Sequence, residues 1–330
     1  MNTSKLINFG VIGVGHLGQH HAKHFSTMPN ATLSGVYDIN FKRADEVANQ
    51  YNSKAYRNFD ELLSNCDALS IVTPTPQHAE IAEKCINLGK HVFIEKPITK
   101  TVAEADKLLS LKNKNGTIIQ VGHIERLNPA LLALKDFELK PKFIEVQRLA
   151  PYTVRGTEVP VVLDLMIHDI DIILSLVKSP VKNIRASGVS IMTKSVDIAN
   201  ARIRFENGTV ANLTSSRIAQ NKVRKLKFFQ RDMYVTIDFL QGLTEVYRAL
   251  DSNEEDPNAL VTAPLDQDGR HRAIVYEKPP VENVDALRLE LTNFIESIQG
   301  KATPIVDGKA GRDALEVATK IQKLIIEDVL

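Results

Sequence analysis

The sequence predicts an α/β protein of two domains: a doubly wound parallel sheet, then an α/β domain built on antiparallel strands. Three observations predict it. A glycine-rich turn, Gly13-Val-Gly15-His-Leu-Gly18, follows an apolar strand and opens a helical pattern. Strand and helix patterns then alternate through the first third of the chain, which means parallel βαβ units. Beyond Val121 consecutive strands with short turns take over, and these imply antiparallel pairing. The boundary falls between residues 1–122 and 123–330.

The first strand runs from Leu6 to Val14. In the turn after it, Gly13 permits the sharp bend, Gly15 lets backbone approach a pyrophosphate, and Gly18 lets the helix pack on its strand. The start of that helix would hold phosphates through its N–H groups and dipole. A second strand, Leu33 to Tyr37, ends in Asp38. That carboxylate lies about twenty residues past the glycines, where it accepts from the adenosine ribose 2′-OH. Helices follow over Phe41–Gln50 and Asp60–Leu63, then the strand Ala68–Thr73. Pro76 opens a helix that reaches Leu88, and Gly89 closes it. The strand His91–Glu95, a helix from Val102 to about Lys112 and the strand Thr117–Val121 complete the first domain.

In the second domain a helix spans Ala130 to about Phe137. Strands are expected at Phe143–Leu149, Val181–Met192, Ile198–Phe205, Thr209–Ser215, Leu226–Gln230 and Val235–Phe239, with Asn207-Gly208 as a hairpin turn. One apolar helix, Val161–Val177, interrupts them. Residues 249–283 are polar and carry prolines; they read as a long surface excursion around an apolar strand, His271–Tyr276. Helices over Val284–Gln299 and from Gly311 onward finish the chain.

Charge excludes some functions. Lysine and arginine number 41 against 40 acidic residues, so no overall field favours nucleic acid or a membrane surface. The basic run Asn221–Arg231 alternates as a strand with one solvated face, with a phosphate or partner contact as the other reading. No signal-peptide core and no membrane-length apolar run is present, and Cys66 and Cys85 have no metal spacing. A cytoplasmic protein with unpaired thiols is the expectation. His20 and His24 share a helix face, but no partner set of Cys or acids accompanies them, so no metal site is expected.

Three stretches lie where ligands bind in doubly wound sheets, beyond the carboxyl ends of the strands: the glycine turn, Thr73-Pro-Thr-Pro76 and Glu95-Lys96-Pro97. Lys96 could hydrogen-bond an alcohol under oxidation and favour the developing alkoxide. The tripeptide recurs as Glu277-Lys278-Pro279, and position favours the first copy, at the end of a strand in the cofactor-binding sheet. The interrupting helix carries Asp164-Leu-Met-Ile-His168-Asp-Ile-Asp171. Asp164 and His168 are one helical turn apart, so the acid could orient the imidazole and leave its other nitrogen for a substrate hydroxyl. Bonds from the same residues to backbone or to the other domain would serve structure instead; Asp171 reads as structural. Arg148 and Arg155, before this helix, could each hold a pyrophosphate bidentately or make an ion pair.

The glycine turn, Thr73-Pro-Thr-Pro-Gln-His78, Gly89-Lys-His-Val-Phe-Ile-Glu-Lys-Pro97, Asp164 to Asp171, and Glu290-Leu-Thr-Asn-Phe294 with Gly300 and Pro304 together resemble the glucose–fructose oxidoreductase, inositol dehydrogenase and rhizopine-catabolism (Gfo/Idh/MocA) family. The resemblance implies a Rossmann domain joined to an α/β domain with an open, mainly antiparallel sheet. It implies Lys96 as the active-site lysine, with a cis bond to Pro97, and Asp164 and His168 as the polar pair of the second domain. It also implies a homodimer or homotetramer built on the exposed sheet face. Met166 and His123 depart from residues many relatives carry. Gly122-His-Ile-Glu-Arg-Leu-Asn-Pro129 with His168-Asp-Ile-Asp171 is similar to the UDP-N-acetylglucosamine 3-dehydrogenase branch.

The expected function is oxidation of a sugar-nucleotide ring hydroxyl with NAD. The cofactor would meet Gly13, Gly15, His16, Leu17, Gly18, Asp38, Thr73, Pro74, His78, Glu95 and Lys96. The substrate would meet Lys96, Arg148, Arg155, Asp164 and His168, and Lys96 and His168 could exchange their catalytic roles. Asp38 favours NAD over NADP, although Arg43 follows on the next helix. Oxidation of a free sugar, inositol or other polyol is the rival enzyme; a non-catalytic NAD-binding regulator is the rival of another class.

Overall fold

The computed structural model describes residues 6–153, 159–251, 254, 256–267 and 270–329. The chain divides into two compact units. One runs to Ile124 and takes in Asp285–Glu316; the other holds Glu125–Val284 and the stretch from Val317 onward.

In the first unit the alternation is realised element by element: β1 (Ile7–Ile12), α1 (Gly18–Phe25), β2 (Ala31–Tyr37), α2 (Phe41–Gln50), α3 (Phe59–Ser64), β3 (Ala68–Ile71), α4 (His78–Asn87), β4 (His91–Glu95), α5 (Val102–Asn115) and β5 (Ile119–Gly122). The strands pair in the order β2-β1-β3-β4-β5, every neighbour parallel. Helices cover both faces of such a sheet, so its strands are apolar runs; all four residues of β3 are buried. Local chemistry sets the helix ends. The Asn40 and Asn58 side chains cap α2 and α3. Thr101 and Glu104 form a reciprocal capping box at the start of α5. Strand order reverses between β1 and β3, which places the glycine turn and the Thr73 loop at the switch point.

The second unit comprises α6 (Pro129–Leu132), β6 (Phe143–Leu149), a π-helical turn (Val162–Met166) running into α7 (Ile167–Val177), β7 (Val181–Val189), β8 (Ile198–Phe205), β9 (Val210–Ser216), β10 (Val223–Gln230), β11 (Met233–Asp238), β12 (Leu243–Asp251), β13 (Val261–Gln267) and β14 (Arg270–Glu277). Nine strands form one sheet in the order β13-β14-β12-β11-β10-β6-β9-β8-β7. All its pairs are antiparallel save β6 with β9. One face is buried: Ile144, Val146, Ala201, Ile203, Leu226, Phe228, Val235 and Val246 belong to the core, as do Val162, Met166, Ile167 and Ile170 of the helix. The other face carries an aromatic ladder in register, Phe143–Phe229–Tyr234–Tyr247–Tyr276, with ring centroids 4.5–6.0 Å apart at each step.

Three expectations are corrected here. Residues 249–283 are not mainly a surface excursion, because β12 ends in them and β13 lies within them, beside the expected strand, which is β14. Pro264 hid β13 from a pattern reading, and the structure places it on the edge strand, where a missing N–H costs least. The helix expected to reach Phe137 stops at Leu132; Leu134, Lys135 and Phe137 donate to carbonyls three residues back and close tight turns instead.

The third concerns the ends of the chain. Helix α8 (Ala286–Ile298) and the start of α9 (Gly308–Val329) belong with the first unit, not with a contiguous second domain. Phe294 lies 6.0 Å from Phe9 and 5.8 Å from Phe93, ring to ring. Val121 N–H donates to Val306 O, and Gln120 donates to Glu290 O. A Cβ on Gly311 would stand 2.6 Å from Val121, so the missing side chain sets how closely α9 meets β5.

Candidate active site

The glycine turn has the geometry its residues predict. Gly13 sits at φ +82°, and a Cβ on Gly18 would fall 1.9 Å from the Gly13 carbonyl oxygen, which no other residue could tolerate. Gly15 is the opposite case: nothing lies within 4 Å of its would-be Cβ, and it is exposed with His16 and Leu17. No side chain caps α1, and no acid stands in its first turn. This is a cradle fitted to a dinucleotide's pyrophosphate. Asp38 is anchored beside it, its carboxylate accepting from Val14 N–H and Asn40 N–H at 2.9 Å each. Arg43 lies on α2 as expected, but its guanidinium returns to the turn, donating to Val14 O at 3.0 Å and Gln19 Oε1 at 2.8 Å.

Lys96 follows β4 and is half-buried, and its bond to Pro97 is cis. Both of its neighbours are held. Glu95 Oε2 accepts from Lys96 N–H at 3.2 Å, and Oε1 lies 3.2 Å from His21 Nε2. Burial pushes the Glu95 carboxyl up, but the hydrogen bond from His21 and the Lys96 ammonium outweigh it and hold the group below the usual range. On the other side, His78 lies 2.9 Å from Pro97 O through Nδ1 and 2.8 Å from Thr73 O through Nε2. It therefore ties the β3 and β4 loops together, and burial lowers its pKa. Pro74 is exposed at the same loop.

In the second unit Asp164 sits inside the π-helical turn and His168 in the first turn of α7; both are half-buried. The Ile167 N–H bonds to Val162 O, five residues back. The wider turn alters the α-helical spacing assumed for Asp164 and His168, and such turns recur at functional sites. The residues beside His168 are held by ion pairs. Arg148 is 3% exposed. Its Nε and Nη2 bond both oxygens of Asp169 at 2.8 and 2.7 Å, and Nη1 bonds Glu125 at 3.0 Å. Burial opposes the guanidinium's charge, but those carboxylates more than reverse it and raise its pKa. Arg126 grips Asp171 with two contacts of 2.6 Å, and Arg224 adds a third partner to Glu125.

Arg148 was open to two readings, a pyrophosphate contact or a surface ion pair. The structure commits its guanidinium to ion pairs with Asp169 and Glu125, on the buried side of β6 rather than at the surface. The signal was available: Arg148 shares the alternation of Ile144 and Val146, the inward positions of that strand. Arg155 lies outside the described residues. Sequence reasoning missed His21, Ser70 and Glu125. It also missed that the two stretches at Gly122–Pro129 and His168–Asp171 are joined by these ion pairs. Among the described residues no three His, Cys, Asp or Glu side chains gather as for a metal ion, and no helix is long and apolar enough to cross a membrane.

Comparisons with known proteins agree with this geometry. The model of an oxidoreductase family with an NAD-binding Rossmann fold (GFO/IDH/MocA) matches residues 7–123, and that of the GFO/IDH/MocA C-terminal domain matches residues 151–235. The chain is similar to UDP-N-acetylglucosamine 3-dehydrogenase of Acidithiobacillus ferrooxidans, 36% identical over 314 residues, 95% of each chain. A solved structure of that enzyme matches with a TM-score of 0.87 at 35% identity over 97% of each chain. Similarity extends to myo-inositol 2-dehydrogenase of Thermotoga maritima, 24% identical over 341 residues, 97% of each chain.

Proposed function

This chain belongs to the GFO/IDH/MocA oxidoreductase family, and from that premise we propose that it is an NAD-dependent dehydrogenase of a sugar-nucleotide ring hydroxyl, converting UDP-N-acetylglucosamine to its 3-keto form. The observation that carries the substrate reading is likeness to the UDP-N-acetylglucosamine enzyme along nearly the whole of both chains.

In the reaction a C–H and an O–H bond break and a C=O bond forms. A nicotinamide ring, when bound, supplies the acceptor for the hydride. The protein supplies the rest. Gly13, Gly15, His16, Leu17 and Gly18 cradle the pyrophosphate, and Asp38 accepts from the ribose. Thr73, Pro74 and His78 line the neighbouring loop. His168 takes the hydroxyl proton, with Asp164 orienting its ring. Lys96 supplies the positive charge that favours an oxygen under oxidation. Arg148 holds Asp169, and Arg126 holds Asp171, so the start of α7 keeps its place while His168 changes charge. Asp38 favours NAD by repelling a 2′-phosphate; Arg43, at the same turn, is the group that would tolerate one.

Two further parts of the reading concern assembly and compartment. The aromatic ladder covers the outer sheet face, with Phe229 38% exposed, and this face pairs with a second copy in a homodimer or homotetramer. Both cysteines are buried free thiols, pushed up to about 12 by burial, in keeping with a reducing cytoplasm. The deciding experiment measures formation of reduced nicotinamide with UDP-N-acetylglucosamine, N-acetylglucosamine and myo-inositol, each with NAD and NADP. The reading expects turnover with the UDP-sugar and NAD. Turnover of myo-inositol alone would assign the chain to polyol oxidation.

A further inference from the structure

A chain of buried polar groups beside Lys96 has no part in the reaction as described above. His21 stands on α1, three residues past Gly18, and is 1% exposed. Its Nδ1 lies 2.8 Å from Ser70 Oγ on β3, and its Nε2 lies 3.2 Å from Glu95 Oε1 at the end of β4. One proton arrangement satisfies every group. The Ser70 hydroxyl donates to Nδ1, Nε2–H donates to Glu95, and the other carboxylate oxygen accepts from Lys96 N–H. The space for the carboxylate comes from β5. Gly122 is paired with Glu95, and a Cβ on it would stand 2.9 Å from the carboxylate. The ring of Phe93 meets His21 edge-on at 5.4 Å and closes the apolar side. Helix α1 and strand β5 thus meet the Glu95 side chain directly, and β3 reaches it through His21. Burying an imidazole and a carboxylate costs solvation that an apolar filling would not.

We propose that Ser70, His21 and Glu95 form a positioning relay for Lys96, in which His21 fixes where the Glu95 carboxylate stands against the lysine that meets the substrate oxygen. The inference rests on Lys96 having the role given above. The titratable groups bearing on Glu95 are His21 from α1, Lys96 itself and, more distantly, His78 from α4. With the carboxylate in place the Lys96 N–H is held at the end of β4; with it displaced, that bond is lost and the lysine leaves its set position.

The first arm needs no substrate. The full-length protein is labelled with dilute acetic anhydride at one fixed pH, and mass spectrometry of the Lys96 peptide gives its labelling rate, a measure of how the side chain is held. His21→Asn cannot reach Glu95 and changes that rate. His21→Gln places an amide donor where Nε2 stood and restores the wild-type rate. Ser70→Ala moves the rate the same way and less, and stands in where His21→Asn does not fold. Equal rates in the wild type, His21→Asn and Ser70→Ala would overturn the relay. So would a His21→Asn change that His21→Gln fails to rescue while thermal melting is unchanged. A parallel assay with NAD and UDP-N-acetylglucosamine expects kcat to fall about tenfold in His21→Asn, with the KM for NAD unchanged. Absence of wild-type turnover there would count against the substrate reading and leave the labelling result to judge the relay.

Discussion

The chain contains the tripeptide Glu-Lys-Pro twice, and the two copies live in different worlds. At Glu95-Lys96-Pro97 the acid ends the parallel strand β4, and its carboxylate is held by His21 and by the next residue's N–H. At Glu277-Lys278-Pro279 the acid ends the antiparallel strand β14, buried, and accepts from Arg248 Nε at 2.8 Å. Lys278 is exposed, 3.7 Å from Glu245, with its ammonium 5.7 Å from the Tyr276 ring. Identical local chemistry thus yields a half-buried lysine beside a held carboxylate in one place and a surface cation in the other. Strand direction and neighbours, not the tripeptide, separate them.

Breaking the two copies in turn should expose that difference. Lys96→Ala should lower kcat about a thousandfold, the scale of losing a donor to a developing oxyanion, while NAD affinity stays close to wild type. His168→Ala should cost about a hundredfold in kcat, as expected for a lost proton acceptor. Asp38→Ala should weaken NAD about tenfold and NADP less, because it removes a charge-assisted hydrogen bond and a repulsion together; the ratio of the two Kd values checks this. Glu277→Ala should leave turnover intact and lower unfolding stability by about 1–3 kcal/mol, measured by denaturant titration, since it strips one of the two carboxylates from Arg248. Lys278→Ala should change neither quantity by more than about twofold, as for an exposed ion pair.

Acid sharpens the contrast at Glu95. Its carboxyl is held below its ordinary 4.5, so the ionised form stabilises the fold. That contribution is complete above pH 4.5 and is lost as pH falls through the lower folded value. The stability gap between wild type and Glu95→Gln should therefore be constant above that pH and close below it.

Much of the first unit was legible because each βαβ step carries its own signals: an apolar run, a cap and a glycine. Gly13, Gly15 and Gly18 could be assigned separate jobs before any coordinate; the positive φ of Gly13 and the close packing at Gly18 follow that assignment. The second unit was less legible. Antiparallel edge strands need little apolar pattern, so β12 and β13 passed as connection, with Pro264 adding to the disguise. The π-helical turn at Val162–Met166 leaves no mark in an apolar run. The choice between the two readings of Arg148 lay in its parity along β6, which turns it inward with Ile144 and Val146. The placement of α8 with the first unit depends on long-range packing of Phe294 against Phe9 and Phe93, which no local pattern announces.

The most direct measurement of the central claim is the rate of reduced-nicotinamide formation from NAD and UDP-N-acetylglucosamine, with wild type and Lys96→Ala side by side. Steady turnover by the wild type, reduced by about three orders of magnitude in the variant, is the predicted result. Equal rates in the two proteins would contradict it.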